Sequence, residues 1–322
     1  MYQFRLGKIG KELESGANWI APIALCIALL GIASASILIA IASTEIKPNA
    51  ITCDRLLIAA IAFGTWNNLK KTSNLDPDLP SEPVPVYTSR AISLLLIAGI
   101  SFAISLSLWA WSLSQTSIAN STLLNNMMPI FTTLFGWLIL RQQFSPRFLV
   151  GMAVAIVGAV AIGIEDLQVA DSGLIGDGAA LTAAMFSAIS ILSLERLRVQ
   201  FSTPIIMQWT SLAGGLFLLP LVLLTEDRLL PISSTGWLAI VGLGLISQAM
   251  GQGLLTYSLA KFSSGFVAVS MLAIPLIAAI LAMVIFAEQL SLLNWLAFAV
   301  VLFGIYLAVS AKNNNSELIA EK

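Results

Sequence analysis

The pattern of residues 120–164 is written a second time at 266–310. Each copy has a proline inside an apolar run (Pro129, Pro275), a polar turn (Arg141 to Ser145, Ala287 to Ser291) and a second apolar run. The offset is 275 − 129 = 146 residues. It also carries Gln143 onto Gln289, Ser145 onto Ser291, Gly158 onto Gly304 and Ser112 onto Ser258. A duplicated set of apolar helices is the plan on which many membrane carriers are built. The repeat therefore restricts the fold more than any single motif in the chain.

The copies lie in a chain that is 58% hydrophobic and 10% charged, with mean hydropathy +0.91. Soluble domains carry about 25% charged residues, so the chain is expected in a bilayer. Runs near 20 residues, the length that crosses about 30 Å of hydrocarbon, fall at about 17–42, 51–69, 90–113, 118–140, 146–164, 174–194, 203–224, 234–258, 264–286 and 291–311. Ten spans are predicted, the second weakened by Asp54 and Arg55 near its start. The run after residue 18 is too long for a signal-peptide core, which has about 7–15 apolar residues. Ser145-Pro146 and Thr203-Pro204 each place a capping hydroxyl before a first-turn proline. The expected organisation is a cytoplasmic tail at 1–16, a first five-helix repeat at 17–165, a second at 174–311 and a tail at 312–322. The first repeat contains a loop at 67–89. Prolines 77, 80, 83 and 85 forbid a helix there, so an extended cytoplasmic linker is expected.

Loop charges set the orientation. With the N-terminus inside, only Lys47, Arg55 and Arg228 of the 16 basic residues fall outside, together with Glu165, Asp166 and Asp171. Positive charge resists translocation, so both termini are expected in the cytoplasm. Five spans per half then insert the second copy upside down. The halves should be related by a pseudo-twofold axis in the membrane plane, with the Arg141–Ser145 turn inside and the Glu288–Ser291 turn outside.

Several function classes fit poorly. A net charge of −1 with no long basic block gives no reason to expect nucleic acid. The chain has no histidine, the commonest proton shuttle and metal ligand. Cys26 and Cys53 show no zinc or redox spacing and read as ordinary membrane cysteines, a disulfide between them being the minority reading. No cofactor or metal site, and no catalytic group, is expected.

Candidate polar positions concentrate on two helices. In the fourth, Ser121, Asn125 and Thr132 share one stripe, and Thr122, Asn126 and Thr133 share the next. Lipid cannot satisfy an amide, so this face must meet protein or a wet cavity. Pro129 removes one backbone bond and pushes aside the carbonyl of Asn125. Interhelical bonding by the two asparagines is the alternative. In the eighth helix, Gln248 and Gln252 are four apart beside Gly244, Ser247 and Gly251. At the 146-residue offset their counterparts are Phe102 and Leu106, so the polar lining is lopsided, as a cargo with distinct ends would need. Ser101, Ser105 and Ser112 are expected to bond back to their own helix. Trp109 and Tyr257 are candidates for substrate contact, with interfacial anchoring as the rival role. Gly136, Gly158, Gly214, Gly215 and Gly304 suit close helix packing, and Pro129 and Pro275 suit paired gating kinks. Glu45, Glu288 and Arg55 are the ionisable groups nearest the outer surface, with none placed at the midplane.

This arrangement resembles the EamA family of the drug/metabolite transporter superfamily, over about residues 20–311. The family pattern at each repeat end is a proline, about a dozen mostly apolar residues, Gly-Glu-Arg-Leu, a serine and a glycine-containing helix. The second copy matches as Pro275, Glu288, Leu290, Ser291 and Gly304. The first departs, with Arg141-Gln142-Gln143-Phe144 in place of Gly-Glu-Arg-Leu. Gly176-Asp177 followed by Leu181, Ala183-Ala184 and Ala188 is similar to the family's sixth helix. The resemblance implies export or import of small metabolites.

The sequence therefore predicts an all-α membrane protein of ten helices in two inverted five-helix repeats, multi-pass in the cytoplasmic membrane. The expected function is alternating-access transport of a small polar metabolite, such as an amino acid. A structural or sensory membrane protein of the same fold is the alternative, and a homodimer is compatible with either.

Overall fold

The computed structural model describes residues 19–73, 87–116, 118–164, 173–286 and 292–310. The predicted tails, most of the proline-rich linker, the acidic segment with Glu165, Asp166 and Asp171, and the turn with Glu288 lie outside the described residues. Among those described, every regular element is helical. They run in the order α1 (Trp19–Ala42), α2 (Pro48–Ser73), α3 (Ser89–Ser112), α4 (Ile118–Asn125 continuing as Met128–Leu140) and α5 (Pro146–Ile164). Then follow α6 (Leu174–Leu197), α7 (Thr203–Thr225), α8 (Ser234–Ser258), α9 (Ser264–Ser270, Met271–Ala273 and Ile274–Phe286) and α10 (Leu292–Val309).

By length and composition, seven of these helices can cross a membrane: α1, α3, α4, α6, α7, α8 and α9. Shorter apolar stretches lie in α5 and α10. Helix α2 carries Asp54, Arg55, Lys70 and Lys71 and is not among the seven. Large apolar side chains such as Trp137, Ile139, Val157 and Leu224 are exposed on the outside of the bundle. In water such a surface would drive aggregation, whereas lipid satisfies it.

The helices pack by small residues and hydroxyls rather than by large knobs. Helix α5 runs against α10. A side chain on Gly158 would meet Val301 and Ala297, and one on Gly304 would meet Ala155 and Gly151. Each contact becomes the other on adding or subtracting 146. Position numbers rise along α5 as they fall along α10, so the two helices are antiparallel. Helix α3 packs on α6 and α1 on α8. Ser105 Oγ donates to Ala183 O at 2.8 Å and lies 2.6 Å from Ser187 Oγ, while Ser190 Oγ donates to Ala98 O at 2.9 Å. Ser105 was expected to bond back to its own helix, but it reaches across to α6. Ser112 does back-bond, to Trp109 O at 2.7 Å.

Both prolines stand second in a helical segment, just behind an interruption. Helix α4 breaks at Asn126 and Met127, just before Pro129, and α9 tightens to a 3-10 turn at Met271–Ala273, just before Pro275. The ring cannot donate and crowds the preceding turn, so the same residue gives the same break 146 positions later. Of the two expected caps, Ser145 Oγ accepts from Phe148 N at 3.2 Å. Thr203 does not cap. It already belongs to α7, Ser202 takes the N-cap position, and Thr203 Oγ1 is buried without a partner.

Candidate functional site: the central cavity

Two of the bundle's apolar clusters frame the site. One holds Leu25, Leu95, Ala98, Ile191, Leu194 and Leu255, and the other Ile46, Leu56, Leu218, Val222, Ile240 and Leu243. A cavity opens where they meet. Its walls come from α2 (Leu56), α3 (Ala98, Gly99, Phe102), α6 (Ser190, Leu194), α7 (Met207, Thr210, Ser211) and α8 (Gln248, Gln252). Its free volume of about 20 Å³ is room for about one water. The space as it stands is too small for a metabolite.

Gln248 and Gln252 reach this cavity from a ten-residue π-helical stretch, Leu243–Gln252. Such wide turns are rare and frequently accompany functional sites. Phe102, which the repeat equates with Gln248, lines the same cavity. One half thus supplies an aromatic face where the other supplies an amide. Ser211 Oγ is buried here without a hydrogen-bond partner.

The charge in this region is Arg55. It is 5% exposed, and its Nε and Nη2 both donate to Gln248 Oε1, at 3.2 and 2.8 Å. Its guanidinium carbon lies 5.9 Å from the centre of the Phe102 ring. Holding an arginine away from water costs on the order of several kcal/mol unless it is paired. Among the described residues, the ion pair present is Lys47 with Asp227, at 3.3 Å. Sequence reasoning placed Arg55 near the outer surface. The structure shows its side chain buried inside the bundle, with a partner 193 positions away.

The remaining candidates stand elsewhere. Ser121 is fully buried and hydrogen-bonded to Ser112 of α3. Asn125 and Asn126 are half-buried at the break of α4, with Asn125 Oδ1 buried and unpartnered. Helix α4 packs on α6 and α9 through Met128, Ala184, Ala188 and Ala268, away from the lining of the central cavity. Trp109 is half-buried with its indole nitrogen unpartnered, and Tyr257 is exposed. Pro129 is buried and Pro275 half-buried. Cys26 is exposed, Cys53 is buried, and both are free thiols.

Near each end of the bundle a carboxylate joins separate elements. At one end Glu45, just past α1, accepts from Ile232 N at 2.7 Å, Ser233 N at 3.0 Å and Ser233 Oγ. These bonds, the Ser233 hydroxyl foremost, hold its carboxyl below the ordinary value of 4.5. Beside it, Glu226 Oε2 accepts from Ala50 N at 2.9 Å. At the other end Glu195, near the end of α6, accepts from Gln142 Nε2 at 2.9 Å, Ser264 Oγ at 2.8 Å and Ser264 N at 3.1 Å. It thereby ties the α4–α5 turn to the start of α9. Sequence reasoning passed over Glu195, because a lone carboxylate beside two arginines looks like an ordinary solvated helix end.

Comparison with known proteins places this geometry. A family model described as the EamA-like transporter family matches twice, over residues 19–164 and 174–310. An "Uncharacterized transporter YetK" of Bacillus subtilis (strain 168) is 24% identical over 236 residues, 71% of each chain. An "Uncharacterized transporter" of Helicobacter pylori (strain ATCC 700392 / 26695) is 26% identical over 168 residues, 49% of this chain. The chain spans about half the length of that relative, 53%. A crystal structure superposes with TM-score 0.73 at 17% identity, covering 94% of this chain and 99% of the other, which is a likeness of fold.

Proposed function

This chain belongs to the EamA-like transporter family and is a multi-pass membrane protein; we propose that it is a secondary carrier for a small polar metabolite of the amino-acid kind. It works by alternating access across the cytoplasmic membrane. The observation that carries this reading is the central cavity. It is walled by helices of both halves and lopsided in polarity, and a carboxylate joins separate elements near each end of the bundle. A carrier with its binding space contracted should look like this.

Supporting the inverted arrangement is the α5–α10 seam. Equivalent helices that pack antiparallel through equivalent residues are related by a twofold axis perpendicular to both, and hence lying in the membrane plane. The ten helices then form two five-helix repeats, with Glu45 at the outer end, Glu195 at the inner end and both termini in the cytoplasm. The paired breaks before Pro129 and Pro275 give each half a bending point, so that one exit can splay while the other stays shut.

Counterflow in proteoliposomes tests this. Vesicles loaded with an amino-acid mixture should exchange at least one member with labelled substrate outside. Pro129→Ala and Pro275→Ala should slow exchange at normal expression. If both leave the rate unchanged, the kinks have no gating role. If nothing exchanges, the structural or sensory alternative stands. Reporter fusions at Glu165 and Lys70 should report opposite compartments.

A further inference from the structure

Arg55 is a cation kept out of water with no anion to answer it. Both of its bonded donors converge on one neutral oxygen, Gln248 Oε1. Among the described residues no carboxylate comes within ion-pair distance, and Asp54, its neighbour in sequence, keeps its buried Oδ2 unpartnered. A guanidinium fork of this kind matches the two oxygens of a carboxylate far better than one amide oxygen.

Gln248 is fixed by the same contact. Its carbonyl is taken by Arg55, so what remains for the cavity is the N–H side of the amide. Ser211 adds an unpartnered hydroxyl on the α7 wall. Gln252, Ser190 and Thr210 add polar groups to an otherwise apolar lining. Arg55 stands one side chain behind the wall, on Gln248 Oε1, so a group that displaces that oxygen meets donors and one positive charge in a medium of low dielectric. That combination attracts one negative charge and cannot neutralise two.

We propose that the cargo carries a single carboxylate, which takes the place of Gln248 Oε1 on the guanidinium of Arg55 and accepts from the Gln248 amide. Gln248 is then a place-holder that occupies the arginine while the carrier is empty. The proposal rests on the transport reading above and adds the chemical class of the substrate. Phe102, standing 5.9 Å from the guanidinium, receives the less polar end of the same molecule. Sugar phosphates and other dianions are excluded, because the second charge would be buried unpaired.

The test uses the full-length protein in detergent and its thermal unfolding midpoint. The ligands are the twenty standard L-amino acids and the matching 2-hydroxy acids at millimolar concentration, each beside its primary amide. At least one carboxylate should raise the midpoint while its amide does not. Arg55→Gln should abolish that rise, and Arg55→Lys, which keeps the charge but loses the fork, should weaken it by roughly tenfold in apparent affinity. The unliganded Arg55→Gln protein should unfold no earlier than wild type, since an unanswered buried charge has been removed. Should that variant fail to fold, Arg55→Lys alone decides. Carboxylates that give no shift, amides that act equally, or a rise that survives in Arg55→Gln or is undiminished in Arg55→Lys would each overturn the proposal. Carboxylate-specific stabilisation without counterflow would refute the carrier reading and leave this site standing. Counterflow of neutral compounds at equal rates in wild type and Arg55→Gln would do the reverse.

Discussion

Replacing Gly304 by alanine puts a methyl group where there is no space for one. The new Cβ would stand 2.3 Å from Ala155 N and 2.7 Å from Gly151 O, both backbone atoms that cannot swing away. Ordinary contact begins at 3.4 Å, so α5 and α10 must part by about 3.4 − 2.3 = 1.1 Å. A radial gap of about 1 Å forfeits about half of each dispersion contact it opens. Overpacking of this kind costs about 1–3 kcal/mol. Gly178 is the control, because a Cβ there meets nothing within 4 Å, and alanine is the better helix former by about 0.5–1 kcal/mol. In thermal unfolding of the detergent-solubilised protein, Gly304→Ala should lower the midpoint by several degrees and Gly178→Ala should not. Gly158→Ala should also lower the midpoint, by less, since the equivalent atoms stand slightly farther off, Val301 N at 2.7 Å and Ala297 O at 3.0 Å. The double variant should cost less than the sum, because a single parting of the helices relieves both clashes. Equal midpoints for Gly304→Ala and Gly178→Ala would refute the close-packed seam, and strict additivity would refute the shared relief.

Acidification should loosen the Glu45 clasp. Its folded carboxyl is held below 4.5, so the stabilisation is present above that value and is lost as pH falls through the depressed folded pKa. Amide exchange at Ile232 and Ser233, corrected for the intrinsic pH dependence, should accelerate below pH 4.5 in wild type and stay flat in Glu45→Gln. Glu195→Ala removes the acceptor of three hydrogen bonds. At about 1.5–3 kcal/mol for a bond to a charged group, the segment 262–270 should lose exchange protection by at least tenfold while 232–236 is unaffected. Ser105→Ala removes the donor to Ala183 O and should destabilise by about 0.6 kcal/mol, the typical interhelical value in a bilayer. A loss above about 2 kcal/mol would mean that the hydroxyl does more than join α3 to α6.

What could be foreseen from the chain depended on periodicity. The breaks before Pro129 and Pro275 follow from the ring chemistry of one residue type at one offset, and the fit of Gly158 and Gly304 follows from their size. Gln248 and Gln252 were legible as lining because two amides four apart in an apolar helix must find water or protein. Arg55 was not, for a geometric reason. Hydropathy starts the second span near residue 51, next to the charges, whereas the helix starts at Pro48. Seven residues at about 1.5 Å each carry Arg55 about 10 Å inward, and its partner lies on a distant helix that no local pattern connects to it. The role of Glu195 was hidden in the same way, since Gln142 and Ser264 approach it from turns 53 and 69 positions away. Asn125 and Asn126 carried the strongest polar signal in the fourth helix. The structure sets them at its broken turn, and they are not among the residues lining the cavity.

The seam between α5 and α10 sets equivalent positions against each other, but not equal side chains: Ala155 stands where its twin is Val301, and Gly151 where its twin is Ala297. In the carrier proposed above, any preference for resting open to one compartment must come from such differences, which the duplication failed to preserve. Three donors meet Glu45 and three meet Glu195, but on unlike helices, and a glutamine stands where the twin has a phenylalanine. Direction, in a molecule built this way, resides in its errors of copying.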